Sequence, residues 1–188
     1  MEILPIAVIR TEFPEKFGIP RQSGLASSLR GRIVFNEGYK DPSALRGLES
    51  FSHLWLIWEF SEAKRESWSP TVRPPRLGGN KRMGVFATRS PYRPNPIGLS
   101  CVKLESVDYT TENGPVIIVS GADLLDGTPI YDIKPYVTYA DCHPEARSGF
   151  VDERQWQELT VEFPSHLQSS FSSESLKSLI RVLALDPR

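Results

Sequence analysis

The chain has 188 residues, of which 39% are hydrophobic and 24% are charged, so it is long and apolar enough for one folded domain with its own core. The chain has 22 lysine and arginine residues and 23 aspartate and glutamate residues, which gives a net charge of -1. This charge excludes a uniformly basic, histone-like protein. Any binding of nucleic acid must therefore come from a local basic patch. Two cysteines and three scattered histidines exclude a disulfide scaffold and a four-cysteine zinc site, and we expect no bound metal.

Sixteen prolines disfavour long helices and favour short strands joined by shaped loops, which predicts a mainly β protein with a single β-barrel-like domain. In chain order, the predicted strands are residues 3–10, 31–35, 53–60, 82–88, 97–107, 116–120 and 129–136. Strand 53–60 reads HLWLIWEF and is apolar at both parities, so we expect it to be central and covered on both faces.

Three connections between the strands carry signals of their own. Residues 11–30 form a loop of about twenty residues, a length that is more often functional or mobile, and we expect it to be too polar to join the core. Asp41 before a proline predicts the N-cap of a short helix at 42–48. Asp126 and Gly127 predict a tight turn that exposes backbone N–H groups to a ligand.

The C-terminal part has a different texture, and we expect a β-barrel domain at 1–140 followed by a small α/β appendage at 141–188. The predicted elements of the appendage are a helix at 152–158, a strand at 160–163, a Ser-rich loop at 169–175 and a terminal helix. The apolar residues of that helix follow the i, i+3, i+4, i+7 spacing at Leu176, Leu179, Ile180 and Leu183. Asp186 and Pro187 end it.

Residues 67–104, here called the basic segment, contain seven basic residues and six prolines and no acidic residue. The basic residues are Arg73, Arg76, Lys81, Arg82, Arg89, Arg93 and Lys103. Such a stretch can be a stiff, solvated connector. Clustered guanidinium groups, however, suit phosphates and carboxylates because each binds two oxygens at once, so we favour an anionic ligand.

The sharpest motif in the basic segment is RSPYRPNP at residues 89–96. Each proline restricts the preceding residue to extended backbone, so Ser90, Arg93 and Asn95 are held in set directions with little entropy to lose on binding. The alternative is a structural loop at the edge of the barrel. Two arginines and an asparagine in eight residues favour a binding site.

A second motif, residues 123–130, is followed by residues 132–136. Asp123, Asp126 and Asp132 are acids in this otherwise apolar neighbourhood. Asp132 and Lys134 share one strand face, and an ion pair between them is the simpler interpretation. Asp126 and Gly127 are also typical of an ordinary hairpin turn between two strands.

Two further side chains are weaker signals. His53 begins its strand as a structural histidine would, although a neutral imidazole also stacks on an adenine ring. Gln22 offers an amide that suits an adenine edge. The sequence lacks P-loop, nucleophile-elbow and Rossmann motifs, so a nucleotide-like cofactor would bind on a β scaffold.

No stretch has the length of a bilayer span or reads as an export signal, so we expect a cytoplasmic protein with no membrane partner.

Several long, irregular strings together resemble the TrmO/TsaA-like family of S-adenosylmethionine-dependent tRNA methyltransferases. They are FPEKFGIPRQ (13–22), GLESFSHLW (47–55), VRPPRLGGN (72–80), GVFATRS (84–90), RPNPIG (93–98), DGTP (126–129) and DIKPY (132–136). The resemblance runs from near the N-terminus to about Tyr139.

The resemblance implies a β-barrel-like homodimer that uses S-adenosylmethionine to methylate N6 of threonylcarbamoyl-adenosine beside the tRNA anticodon. It implies cofactor contacts at Pro20, Arg21, Gln22, His53, Leu54, Arg89, Leu99, Leu125, Asp126, Gly127 and Thr128. We assign the tRNA to Arg73, Arg76, Lys81, Arg82 and Arg93, because an anticodon loop splays its bases onto arginines and aromatics. We also expect loop 11–30 of one subunit to complete the site of the other.

Methyl transfer from a sulfonium is an in-line displacement, so positioning of the acceptor nitrogen is the main task. Asp126 is the candidate catalytic residue, to accept the acceptor's proton or to orient the acceptor. A contact of its carboxylate with the cofactor's ribose or amino group is an equal alternative.

Two other functions fit parts of the sequence. A non-catalytic RNA-binding β-barrel needs only the basic segment and predicts no affinity for S-adenosylmethionine. An S-adenosylmethionine-dependent enzyme acting on a small molecule predicts cofactor binding without salt-dependent binding of tRNA.

Overall fold

The computed structural model describes residues 2–63, 67–152 and 158–185, with all their side chains except those of Arg76 and Glu174. Its strands are β1 (Ala7–Arg10), β2 (Arg30–Phe35), β3 (His53–Glu59), β4 (Thr71–Val72), β5 (Met83–Gly84), β6 (Ile97–Asp108), β7 (Val116–Ser120) and β8 (Pro129–Pro135). Its α-helices are α1 (Thr138–Asp141), α2 (Ser165–Gln168) and α3 (Ser173–Ala184). Short 3-10 helices lie at Pro42–Leu45, Leu48–Ser50, Ser61–Ala63, Pro75–Leu77, Val85–Ala87 and Gly149–Val151.

Six of the strands close into a barrel in the order β1-β2-β7-β6-β3-β8, and all the pairings between them are antiparallel. The core lies inside the barrel because alternate residues of each strand point inward. On β3 these residues are Leu54, Leu56 and Trp58, all of them buried. The predicted mainly β fold with a barrel-like domain is confirmed.

The prediction that β3 is covered on both faces is wrong for the described chain. Its outer residues are only half-buried; they are His53, Trp55, Ile57 and Glu59. A barrel strand has one inner face, and the outer residues of β3 lie outside the buried core cluster of the described structure. The apolar outer residues therefore stay accessible to solvent.

Most of the predicted barrel strands are confirmed, since β2, β6, β7 and β8 lie within a residue of their predicted bounds. Strand 3–10 is shorter than predicted and is regular only over Ala7–Arg10. The predicted cap is confirmed, because Asp41 accepts a hydrogen bond from Ser43 N at 2.8 Å. The predicted helix at 42–48 is two short 3-10 turns separated by Gly47, whose φ is 87°.

Residues 82–88 are not the single strand that the sequence predicts. Only Met83–Gly84 pairs, with Thr71–Val72, in a two-stranded sheet outside the barrel. The chain then turns into the 3-10 helix Val85–Ala87, and the guanidinium of Arg93 donates to the carbonyls of Val85 and Thr88. Those carbonyls accept from a side chain instead of from a neighbouring strand.

The predicted strand at 160–163 is also absent, because these residues pair with no strand of the described structure. Phe163 instead packs edge-on against Phe171, with ring centroids 5.7 Å apart. The predicted helix at 152–158 lies mostly outside the described residues, as do Asp186 and Pro187. The terminal helix is confirmed as α3, and Ser172 caps it by accepting from Ser175 N at 3.1 Å.

Loop 11–30 contributes to a second apolar cluster, so the expectation that it is too polar to be core is wrong. The loop contributes the buried side chains of Phe13, Ala26 and Leu29 to this cluster. They pack against Val182 and Leu185 at the end of α3. The loop is therefore held between the barrel and the C-terminal helix.

Across the described ranges, every helix is too short or too polar to cross a lipid bilayer.

Candidate functional site

The tight turn at Asp126 is fastened to the end of β1. Its Oδ1 accepts from Thr11 N at 2.9 Å, and its Oδ2 lies 3.3 Å from Nη1 of Arg10. Its backbone N–H donates to Phe13 O at 2.8 Å. Both carboxylate oxygens therefore have partners within the chain. Sequence reasoning missed Arg10; the available signal was a charged residue ending an apolar strand.

The prediction that this turn exposes backbone N–H groups to a ligand is wrong. Gly127 N donates to Ile9 O at 2.8 Å, and Thr128 N donates to Leu125 O at 3.2 Å. The Gly127 N–H extends the pairing with β1, and the Thr128 N–H closes the turn on itself. The glycine is explained by its φ of 77°, a left-handed conformation that other residues rarely adopt.

Two predicted cofactor residues that lie far apart in sequence meet in the structure. Nη1 of the exposed Arg89 donates to Oε1 of Gln22. The side-chain amide of Gln22 in turn donates to Arg21 O at 2.6 Å. Loop 11–30 and the basic segment thus meet through an amide and a guanidinium.

A chain of polar groups leads from the barrel core to this contact. Nε1 of Trp58 donates to Ser100 Oγ at 2.9 Å, and Ser100 Oγ donates to Oδ1 of Asp123 at 2.6 Å. Burial raises the pKa of the Asp123 carboxyl, while hydrogen bonds from Ser100 and from the Ser23 backbone and the positive charge of Arg89 act in the opposite direction. From the sequence alone, Asp123 is only one of the acids of the second motif, with no role assigned to its side chain.

Three predicted cofactor residues point inward. Pro20, Leu54 and Thr128 are buried. The hydroxyl of Thr128 donates to Leu125 O at 2.7 Å, which closes the turn. The side chains of these three residues belong to the scaffold of the site.

His53 lies at the other end of β8 from the Asp126 turn. Its carbonyl accepts from Tyr136 N at 2.9 Å, just past the end of β8, and its Nδ1 lies 2.9 Å from Ser52 Oγ. The Asp126 turn immediately precedes the start of β8. At about 3.3 Å per residue, roughly 20 Å of strand separates the two ends. One chain therefore does not bring His53 together with Asp126.

Leu99 stands on the outer face of β6, paired in register with Ile57 of β3. It is 55% exposed, and its neighbour Ile97 is 41% exposed. With the half-buried Trp55 and Ile57, these residues form an apolar outer face on β3 and β6. We call it the β3–β6 face.

The predicted tRNA-binding residues fall into two groups. Arg73 and Lys81 are exposed. Arg82 donates to Thr71 Oγ1 at 3.0 Å, and Arg93 donates to two backbone carbonyls at 2.8 and 3.3 Å. The side chain of Arg76 lies outside the described structure. One guanidinium nitrogen of Arg93 is thus already hydrogen-bonded to the backbone of its own loop.

Sequence reasoning missed two exposed aromatic rings in the basic segment. Trp68 is 50% exposed and Phe86 is 72% exposed, with ring centroids 6.0 Å apart. The guanidinium carbon of Arg93 lies 5.8 Å from the centre of the Phe86 ring. The signal that would have found them is the interleaving of aromatic with basic residues.

Two smaller expectations concern charge and metal. The predicted ion pair is confirmed, with Lys134 Nζ 3.0 Å from Asp132 Oδ2. Within residues 2–63, 67–152 and 158–185, no three His, Cys, Asp or Glu side chains are grouped so as to hold a metal ion.

Residues 8–142 match the family model described as the tRNA-methyltransferase O N-terminal domain. The chain belongs to this family. The matched range covers the barrel strands except Ala7, and it includes every predicted site residue. The resemblance to the TrmO/TsaA-like family is confirmed.

Named relatives agree with this membership. The Escherichia coli (strain K12) protein named tRNA (adenine(37)-N6)-methyltransferase is 44% identical, over 97% of this chain and 80% of its own length. A Pseudomonas aeruginosa protein named putative S-adenosylmethionine-dependent methyltransferase RcsF is 43% identical, over 99% of this chain and 81% of its own length. A crystal structure of TrmO from Pseudomonas aeruginosa superposes with a TM-score of 0.75 at 38% identity, covering 100% of this chain and 82% of that one.

Proposed function

We propose that this protein is an S-adenosylmethionine-dependent methyltransferase that methylates N6 of adenine 37 in tRNA. The observation that carries the proposal is the 44% identity to the Escherichia coli tRNA (adenine(37)-N6)-methyltransferase over 97% of this chain. Within that activity, we propose threonylcarbamoyl-adenosine as the acceptor and the cytoplasm as the place of action. The urea-like N–H of that nucleoside is the group that receives the methyl.

The residues around Arg89 and Asp126 fit the cofactor chemically. S-adenosylmethionine, when bound, supplies an electrophilic methyl group and carries an α-carboxylate, an α-ammonium and a sulfonium. The site offers cations for the carboxylate in Arg89 and Arg10, and a carboxylate for the positive groups in Asp126. Gln22 offers an amide for the adenine edge. Pro20, Arg21, Leu125, Gly127 and Thr128 shape the loops that carry these groups.

For Asp126 we propose an orienting role. Thr11 N–H and Arg10 each engage one carboxylate oxygen, which fixes its direction. A carboxylate held in this way positions a ribose hydroxyl or the acceptor nitrogen well. Its role as the acceptor of the proton stays a prediction.

We also propose a homodimer whose sites are shared between subunits. His53 and Leu54 lie near one end of β8, whereas Asp126 lies at the other, and this separation supports a site completed by a second copy. The β3–β6 face is apolar and exposed and carries Leu99, which suits a second copy. Pairing through this face would cover the outer side of β3.

The tRNA is assigned to the basic segment. Arg73, Lys81 and Arg82 are exposed cations on a chain whose net charge is only -1. Trp68 and Phe86 add faces on which unpaired bases stack. Together they suit a single-stranded anticodon loop. Arg76 belongs to the same stretch of sequence.

The decisive experiment has two steps. The first is calorimetric titration of the protein with S-adenosylmethionine and with its demethylated product. The second is transfer of labelled methyl to tRNA that carries or lacks the threonylcarbamoyl group. We expect binding of both ligands and transfer only to the modified tRNA. Binding without transfer to any tRNA would favour the small-molecule enzyme; tRNA binding without cofactor binding would favour the non-catalytic RNA binder.

Subunit complementation tests the shared site. His53→Ala and Arg89→Ala should each lack most activity. If the two residues serve one cofactor from different subunits, mixing and re-equilibrating the variants creates one intact site in each heterodimer. The mixture should then recover about a quarter of the parental activity. Mixing two separate preparations of Arg89→Ala is the control. Recovery no greater than in that control would exclude the shared site.

A further inference from the structure

We propose that Asp123 is a positioning residue for the cofactor site, holding Arg89 and the backbone at Ser23 so that Gln22 is fixed between them. The inference rests on the proposed function, which assigns Gln22 and Arg89 to the cofactor. Asp123 acts through these residues.

Asp123 is anchored from inside the barrel. Ser100, which is 1% exposed, donates to Oδ1 of Asp123 at 2.6 Å, and Trp58 donates to the same hydroxyl at 2.9 Å. Trp58 packs against Gly98, where a Cβ would come within 2.3 Å of the indole ring. The carboxylate therefore sits at the end of a rigid chain of groups whose own positions are set by core packing.

On its other side, Asp123 reaches the loop that carries Gln22. The backbone N–H of Ser23 donates to the Asp123 carboxylate. The next residue, Gly24, donates its N–H to Gly121 O at 2.8 Å, and the backbones are so close that a Cβ on Gly121 would lie 3.1 Å from Gly24 Cα. The loop is thus fastened to residues 121–123 immediately after Gln22.

Arg89 completes the arrangement. Its guanidinium is exposed, donates to Gln22 Oε1 and is attracted by the negative charge of Asp123. A long side chain on a loop keeps one direction only if fixed acceptors hold it. Asp123 supplies a fixed negative charge nearby, and Gln22 supplies the hydrogen-bond acceptor. The barrel core therefore sets the direction of a cation on the surface.

The test is the variant Asp123→Asn. The amide oxygen still accepts from Ser100 and Ser23, so the fold is kept, but the charge that Arg89 faces is gone. We expect affinity for the demethylated cofactor to fall about tenfold, KM for S-adenosylmethionine to rise accordingly, and the Tm of the free protein not to fall. Asp108→Asn, at the far end of β6, is the matched control and should leave all three unchanged.

A double-mutant cycle tests whether Asp123 affects cofactor affinity through Arg89. In an Arg89→Ala background, Asp123→Asn should cause little further loss of affinity, because its partner is already absent. A full additional tenfold loss would overturn the inference, as would parental affinity in the single variant. In both cases binding by the parent would leave the proposed function standing.

A cofactor-free measurement keeps the inference testable even if the parent fails to bind S-adenosylmethionine. The Nε–H resonance of Arg89 is identified in a nitrogen-proton NMR spectrum by its loss in Arg89→Ala. In Asp123→Asn it should shift and exchange faster with water, whereas Asp108→Asn should leave it in place. An unchanged Arg89 resonance in Asp123→Asn would refute the positioning role.

Discussion

Gly98 shows how one missing side chain shapes the candidate site. It lies opposite Trp58 in the β3–β6 pair, and the indole occupies the space where a Cβ would be. The glycine thereby lets Trp58 reach Ser100, the group that orients Asp123. The RPNPIG string is thus explained in part by packing inside the barrel.

Gly98→Ala should be destabilising because the added methyl lies 2.3 Å from Trp58 Cε2 and the ring must move. We expect a loss of about 1–3 kcal/mol in the free energy of unfolding, measured by urea denaturation. Gly84→Ala is the control: its φ is -57° and a Cβ there meets nothing within 4 Å in the described part of the chain. Equal losses in the two variants would contradict the packing explanation.

The Asp123 carboxyl predicts a pH dependence of stability. Burial raises its pKa above the ordinary value of 3.8, against the opposing effects of Ser100, Ser23 and Arg89. The folded state then binds the proton more tightly than the unfolded state. The stabilisation from this group is complete below pH 3.8 and is lost as the pH rises through the raised pKa.

Asp123→Asn removes this titration. Its Tm should exceed that of the parent at neutral pH, and the difference should shrink as the pH falls toward about 4. Scanning calorimetry of both proteins across that range is the measurement. A difference that widens on acidification would mean that the carboxylate is stabilised by the fold.

At the scale of the elements, sequence patterns located most barrel strands because each is short, apolar and bounded by turn residues. The pattern of β3 led to the wrong prediction that both of its faces are covered. Apolar residues at both parities indicate two apolar faces, and the outer one is only half-buried in the single chain. Residues 82–88 have the apolar content of a strand but find no barrel neighbour. Pairing depends on which segments meet, and a local pattern does not contain that information.

Sequence reasoning proposes the candidate site one residue at a time and does not predict how these residues are arranged. The resemblance supplied Gln22, Arg89 and Asp126, and the first two do meet. The distance between His53 and Asp126 depends on the register of β8, which no motif encodes. Arg10 and Asp123 make their contacts across the fold, so their sequence neighbourhoods carry little signal.

Helix α3 holds loop 11–30 through the second apolar cluster, so shortening one of its side chains should loosen the loop. Val182→Ala removes apolar contact with Phe13 and Leu29 and should cost about 1–3 kcal/mol locally. Hydrogen exchange should accelerate at the Leu29 amide, which is bonded to Ala26 O at 3.1 Å. Lys177→Ala, on the exposed side of α3, should leave that rate unchanged. Protection equal to that of the parent in Val182→Ala would show that the helix does not hold the loop.

For the whole molecule, the balance of charge decides how tRNA is attracted. A net charge of -1 gives little general attraction, so the local cations must supply it. Lys81→Ala should weaken tRNA binding and reduce the slope of log affinity against log salt by about one unit, with cofactor affinity unchanged. Lys40→Ala is the control, since Lys40 pairs with Glu37 outside the basic segment. An unchanged slope for Lys81→Ala, and likewise for Arg82→Ala, would make the segment a connector.

The length of β8 has a consequence for how activity scales with the amount of protein. If His53 and Asp126 serve one cofactor, each copy carries two half-sites, and a lone copy carries no complete one. Specific activity then falls on dilution below the dissociation constant of the pair, and the turnover of a dilute sample grows with the square of its concentration. A cell that makes little of this protein would leave its tRNA unmethylated although every copy is correctly folded.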